Sequence, residues 1–85
     1  MPKAPRQIQL RFFAILREQA GCSSLAMTTS AVDARALYSE LQARFPNLKF
    51  PAELLRVSIN ERYAELTTPL SAGDRVVFIP PVAGG

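Results

Sequence analysis

Arg75-Val76-Val77-Phe78-Ile79-Pro80-Pro81-Val82-Ala83-Gly84-Gly85 closes the sequence and reads as a buried strand running into a tail. From Val76 to Ile79 the strand is apolar on both faces, which predicts a central place in a covered sheet. Pro80 and Pro81 end it, because neither can donate to a ladder. Gly84 and Gly85, lacking a Cβ, make a slim strip of backbone that can enter a channel too narrow for other dipeptides. An enzyme could thread such a tail and act on its terminal carbonyl carbon. The alternative is an ordinary frayed end of small residues.

Outward from this strand, Pro69-Leu70-Ser71-Ala72-Gly73-Asp74 is a turn, with Gly73 free to take a positive φ. At the other end of the chain, Ile8, Leu10, Phe12, Ala14 and Leu16 share one face at period two, predicting a strand over 8–16. Its second face begins polar at Gln9 and Arg11 and turns apolar at Phe13 and Ile15. These two most apolar strands are expected side by side and parallel at the sheet centre. Between them, 17–24 reads as a turn and 25–29 as a second strand in a hairpin with the first. A helix follows, capped by Asp33 or Ser30, with Ala34, Leu37, Tyr38, Leu41 and Phe45 forming an apolar stripe that Pro46 stops. Residues 47–53 are irregular, 55–59 a third strand, 60–62 a turn and 63–66 a short fourth strand. The expectation is one α+β domain over 1–85, β-β-α-β-β-β, with the helix packed on one face of a mixed sheet. Residues 1–6 are a flexible lead and 80–85 the tail.

Ten Lys+Arg against seven Asp+Glu give a formal +3, but the arginines are scattered and no basic run interleaves with aromatics, so no nucleic-acid role is expected. No apolar run nears the roughly 20 residues of a membrane span. Nor is a signal peptide read at the N-terminus. The single Cys22 cannot form an internal disulfide and fits a reducing cytoplasm. It has no activating neighbour in sequence and reads as inert. With no histidine, no carboxylate cluster at metal-ligand spacing and no phosphate-cradling loop, the chain is poorly equipped to act as an enzyme alone. No metal and no bound cofactor are expected.

The element order, size and Gly-Gly exit resemble the ubiquitin-like β-grasp fold. Three segments are similar, more specifically, to the small subunit of molybdopterin synthase. They are Leu10-Arg11-Phe12-Phe13-Ala14-Ile15-Leu16-Arg17-Glu18, Val57-Ser58-Ile59-Asn60, and the closing run from Pro69 to Gly85. In the last, the Pro-Leu, Gly-Asp, Pro-Pro-Val and Gly-Gly elements stand in order and in spacing. The resemblance implies a sulfur carrier. Gly85 would be adenylated by an activating enzyme that uses ATP, converted to a thiocarboxylate, and inserted into the large subunit of the synthase to sulfurate cyclic pyranopterin monophosphate. A heterotetramer with that large subunit is implied, with the catalytic side chains on the large subunit. Carried onto this sequence, Gly85 is the reactive residue and Gly84 is needed for threading. Val82 and Ala83 would line the channel, and Pro80 and Pro81 would stiffen the base of the tail. Phe13 and Ile79 are candidates for docking beside the exit, or else for core packing. Ile79 stands where family members can carry an aromatic residue. Arg17 would pair with an acidic group on a partner, or simply be solvated. Three other readings stand beside this one: a thiamine-pathway sulfur carrier, a protein modifier joined through Gly85, and a plain interaction module.

Overall fold

The last strand lies where its apolar sequence demands. The described residues, 5–81 of a computed structural model, form five strands, β1 (Arg6–Phe12), β2 (Ser24–Thr29), β3 (Arg56–Ile59), β4 (Arg62–Ala64) and β5 (Arg75–Ile79). They make one mixed sheet in the order β2-β1-β5-β3-β4. β5 is central, parallel to β1 with Phe12 opposite Phe78, and antiparallel to β3 with Val57 opposite that same Phe78. β1–β2 and β3–β4 are antiparallel. Two helices complete these elements, α1 (Ile15–Ala20) and α2 (Ala34–Arg44), with a 3₁₀ turn at Ala52–Leu54.

Two expectations are corrected at the start of the chain. The first strand does not run to Leu16; it stops at Phe12. Ala14 then turns the backbone at φ 53° and ψ −128°, and the Leu16 N–H closes the corner on the Phe13 carbonyl at 3.0 Å. Helix α1 replaces the strand end, and the left-handed Gly21 caps it by donating to the Arg17 carbonyl. Leu16 is buried all the same, but from a helix. The order is therefore β-α-β-α-β-β-β: β1 and β2 pair antiparallel as expected, but they are joined through α1 rather than by a turn over 17–24. Arg6, placed by the sequence in a flexible lead, belongs to β1, and its Nη1 donates to the Ala31 carbonyl at 2.9 Å. Smaller shifts trim the third strand to begin at Arg56 and the fourth to Arg62–Ala64.

Asp33, not Ser30, caps α2: its carboxylate accepts the Ala36 N–H at 2.8 Å, satisfying one orphan donor of the first turn. The apolar stripe of α2, with Leu37, Tyr38 and Leu41, packs on the inward residues Ile8, Leu10 and Phe12 of β1 and Val76 and Phe78 of β5, all buried. Each such side chain contributes about 1.5–3 kcal/mol through burial. The Tyr38 ring sits 5.2 Å from that of Phe78, and its hydroxyl donates to the Phe50 carbonyl at 2.7 Å. Burial pushes the Tyr38 phenol up from 10.0 to about 12.

Candidate functional site

Because side chains alternate along a strand, Phe78 facing the core turns Val77 and Ile79 to the opposite side of the sheet. Val77 and Ile79 are half-buried there. Pro80, the first residue past β5, is buried, while Pro81 is exposed. The strand thus runs into a proline seated against the domain, followed by an exposed Pro81.

Phe13 answers the choice between core and surface. Phe12 takes the core position at 1% exposure and Phe13 stays 45% exposed. It stands just past the last β1–β5 pair, Phe12 with Phe78, at the end of the sheet from which Ile79 and Pro80 emerge. Ile15 is exposed two residues on. The Arg11 guanidinium lies over the Phe13 ring, 6.0 Å from its centroid. An open groove of about 560 Å³ runs back from Phe13 across the sheet, lined among others by Arg11, Ser58, Arg75 and Val77. The register therefore sets Phe13 and Ile79 at the same end of the sheet, where β5 runs out into Pro80 and Pro81. Arg17 lies on the exposed side of α1 and is not among the groove residues. Val82, Ala83, Gly84 and Gly85 lie outside the described residues.

The start of β5 is held by turn and side-chain hydrogen bonds. Asn60 and Glu61, both at positive φ, form the two-residue turn between β3 and β4, a geometry that asparagine tolerates. The Asn60 carboxamide accepts the Arg75 N–H at 2.9 Å and donates to the buried Asp74 carboxylate at 2.8 Å. Asp74 also accepts the Ser71 N–H at 2.7 Å. A carboxylate with two such donors is well placed to be buried. Gly73, at φ 83°, donates its N–H to the Gln7 carbonyl at 2.7 Å. These bonds fix the register of β5, and so the line along which it exits. Glu61 bridges Arg75 at 3.2 Å, an exposed pair of small energetic weight.

The sequence did not single out Arg11 or Arg56. Arg11 shares the outward period-two face of Phe13, so the signal for it was present. Arg56 sits opposite Ile79, a neighbour visible only once the β3–β5 register is known. Among the described residues no group of three His, Cys, Asp or Glu side chains is placed to hold a metal ion. No helix among them is long and apolar enough to cross a membrane.

The profile of the ThiS family matches residues 10–85. The molybdopterin synthase sulfur carrier subunit of Aedes aegypti is 37% identical over 87 residues, covering 93% of this chain and 89% of that protein. Among solved structures, the complex of subunits 1 and 2 of the molybdopterin-converting factor from Helicobacter pylori contains a chain that matches with a TM-score of 0.65 and 29% identity, covering 93% of this chain and 99% of that one. The small archaeal modifier protein 1 of H. volcanii matches with a TM-score of 0.75 and 25% identity, covering 91% of this chain and 99% of that one. The fold is the ubiquitin-like β-grasp expected from the sequence.

Proposed function

This chain belongs to the ThiS family, and from that premise we propose that it carries sulfur on Gly85 for a molybdopterin synthase. A carboxylate is a poor electrophile. An activating enzyme that uses ATP joins the Gly85 carboxylate to AMP, releasing pyrophosphate, and a sulfur nucleophile then displaces AMP to leave a thiocarboxylate. Gly84 and Gly85 pass into the large subunit, with Val82 and Ala83 lining the way, and the sulfur is delivered to cyclic pyranopterin monophosphate. Tethering holds the sulfur near its acceptor at high effective concentration. Acid–base side chains come from the large subunit, and the working assembly is a heterotetramer. Phe13, Ile79, Pro80 and Pro81 dock beside the exit, and Arg17 pairs with an acidic group at the margin.

The observation that carries this reading is β5 itself. A central strand, paired on both sides and anchored at its start, runs into Pro80-Pro81, beside an exposed Phe13, on a chain similar to named sulfur carrier subunits. Deleting Gly85 is expected to abolish sulfur transfer in a reconstituted synthase while changing stability by less than about 0.5 kcal/mol. Intact-mass analysis after incubation with the activating enzyme, ATP and a sulfur donor should show one oxygen replaced by sulfur in the unaltered chain only. The likeness to an archaeal modifier protein favours a second reading, conjugation through Gly85. Higher-mass conjugates in place of the thiocarboxylate would establish it and sink the carrier.

A further inference from the structure

On the sheet face opposite α2, the strand registers set side chains in rows. Arg11, Val77 and Ser58 form one row across β1, β5 and β3, and Ile79 with Arg56 forms the next. Phe13 follows Arg11 on the same side, as its place in the groove shows. The outcome is an apolar strip of Phe13, Val77 and Ile79 with a guanidinium on either flank, Arg11 from β1 and Arg56 from β3. Strands about 4.8 Å apart, rising about 3.3 Å per residue, put the two arginine Cα positions about 12 Å from each other. Among the described residues, Arg35 and Arg75 each have a carboxylate within ion-pair distance, and Arg11 and Arg56 have none.

We propose that this face receives an acidic protein surface: the large subunit of the synthase presents two carboxylates, about 12 Å apart, straddling an apolar segment that covers the strip. Resting on the carrier reading above, this assignment adds the charge and spacing the partner must bear. The physical reason is desolvation. A purely apolar partner broad enough to cover Phe13, Val77 and Ile79 together with both flanks would bury two guanidinium groups unpaired, at a cost of several kcal/mol. Carboxylates meet a guanidinium in two parallel hydrogen bonds and fix the register of the dock. They also draw the partners together, so the charge acts most on the association rate. A nucleic acid would satisfy the arginines but would leave an aliphatic strip containing one aromatic ring without a suitable cover.

The test follows association of the full chain with the large subunit by stopped flow across a range of salt, alongside sulfur transfer from the thiocarboxylate form. The association rate of the unaltered chain should fall steeply with ionic strength. Arg11→Glu with Arg56→Glu should slow it about tenfold or more at low salt and flatten the salt dependence. Arg11→Gln with Arg56→Gln should give an intermediate loss, and Arg35→Glu, on α2, no change; melting curves confirm that each variant is folded. Equal rates for the double variants and the unaltered chain overturn the inference, and sulfur transfer at the usual yield then shows the carrier reading intact. Absence of thiocarboxylate and of transfer in the unaltered chain overturns the carrier reading, and this assignment with it. Capture of a single-stranded oligonucleotide that depends on Arg11 and Arg56, with large-subunit association unaffected, also overturns the inference.

Discussion

Ala14 sits at φ 53° and ψ −128°, in a region where a Cβ is crowded and glycine is at ease. The corner it makes ends β1, starts α1 and leaves Phe13 on the exposed side of the sheet. Such a conformation costs about 1–3 kcal/mol in a residue with a side chain. Ala14→Gly is expected to raise stability by about 1 kcal/mol, the relief of strain exceeding the added chain entropy of glycine. A urea titration should show a higher midpoint at unchanged slope; a lower midpoint would mean that the corner is unstrained. Residue-level signals were legible where the side chain itself performs the local task. Asp33 caps, Gly73 takes its positive φ, and Phe12 and Phe13 divide between core and surface. Ala14 was not legible, because a turn of this kind announces itself by a glycine that is absent here.

At the scale of elements, α2 depends on its first turn. The Asp33 carboxylate satisfies the Ala36 N–H, while the Leu66 carbonyl accepts from Arg35 N–H and the Val32 carbonyl from Leu70 N–H, latching the loop before β5 to the helix start. Asp33→Ala should cost about 1 kcal/mol, read as a lower melting temperature with the sheet intact. An unchanged melting temperature would show that the latch holds the helix without the cap. β5 and α2 were both legible, one by an apolar run ending in Pro-Pro, the other by a stripe between a cap and a proline. α1 was hidden for a physical reason. Six residues hold fewer than two turns, too few to show helical period, and its Ile15 and Leu16 merely continue an apolar run that began in β1. The flank at Arg56 was hidden for another, since cross-strand neighbours follow from register and not from local pattern.

For the molecule as a whole, Tyr38 links helix, sheet and the 46–51 connection. Its phenol, pushed up to about 12 by burial, keeps its proton in the folded state at a pH where the unfolded chain has lost it. The unfolded state then binds fewer protons, so stability is fully present below about pH 10 and falls as pH rises toward 12. The loss should be of the order of 2 kcal/mol. Tyr38→Phe should cost about 1 kcal/mol near neutrality, where the bond to the Phe50 carbonyl is missing, and should flatten the alkaline decline. An equal decline in both proteins would assign it to other groups. The placement of β5 also has a mechanical meaning. It is bonded to β1 through Arg75–Phe78 and to β3 through Val76–Ile79, and ladder bonds lie across the strand direction. A pull along the chain beyond Ile79 therefore loads both ladders in shear at once, sharing the force over many bonds instead of peeling them one by one. Traction on the tail moves the whole domain as a rigid body.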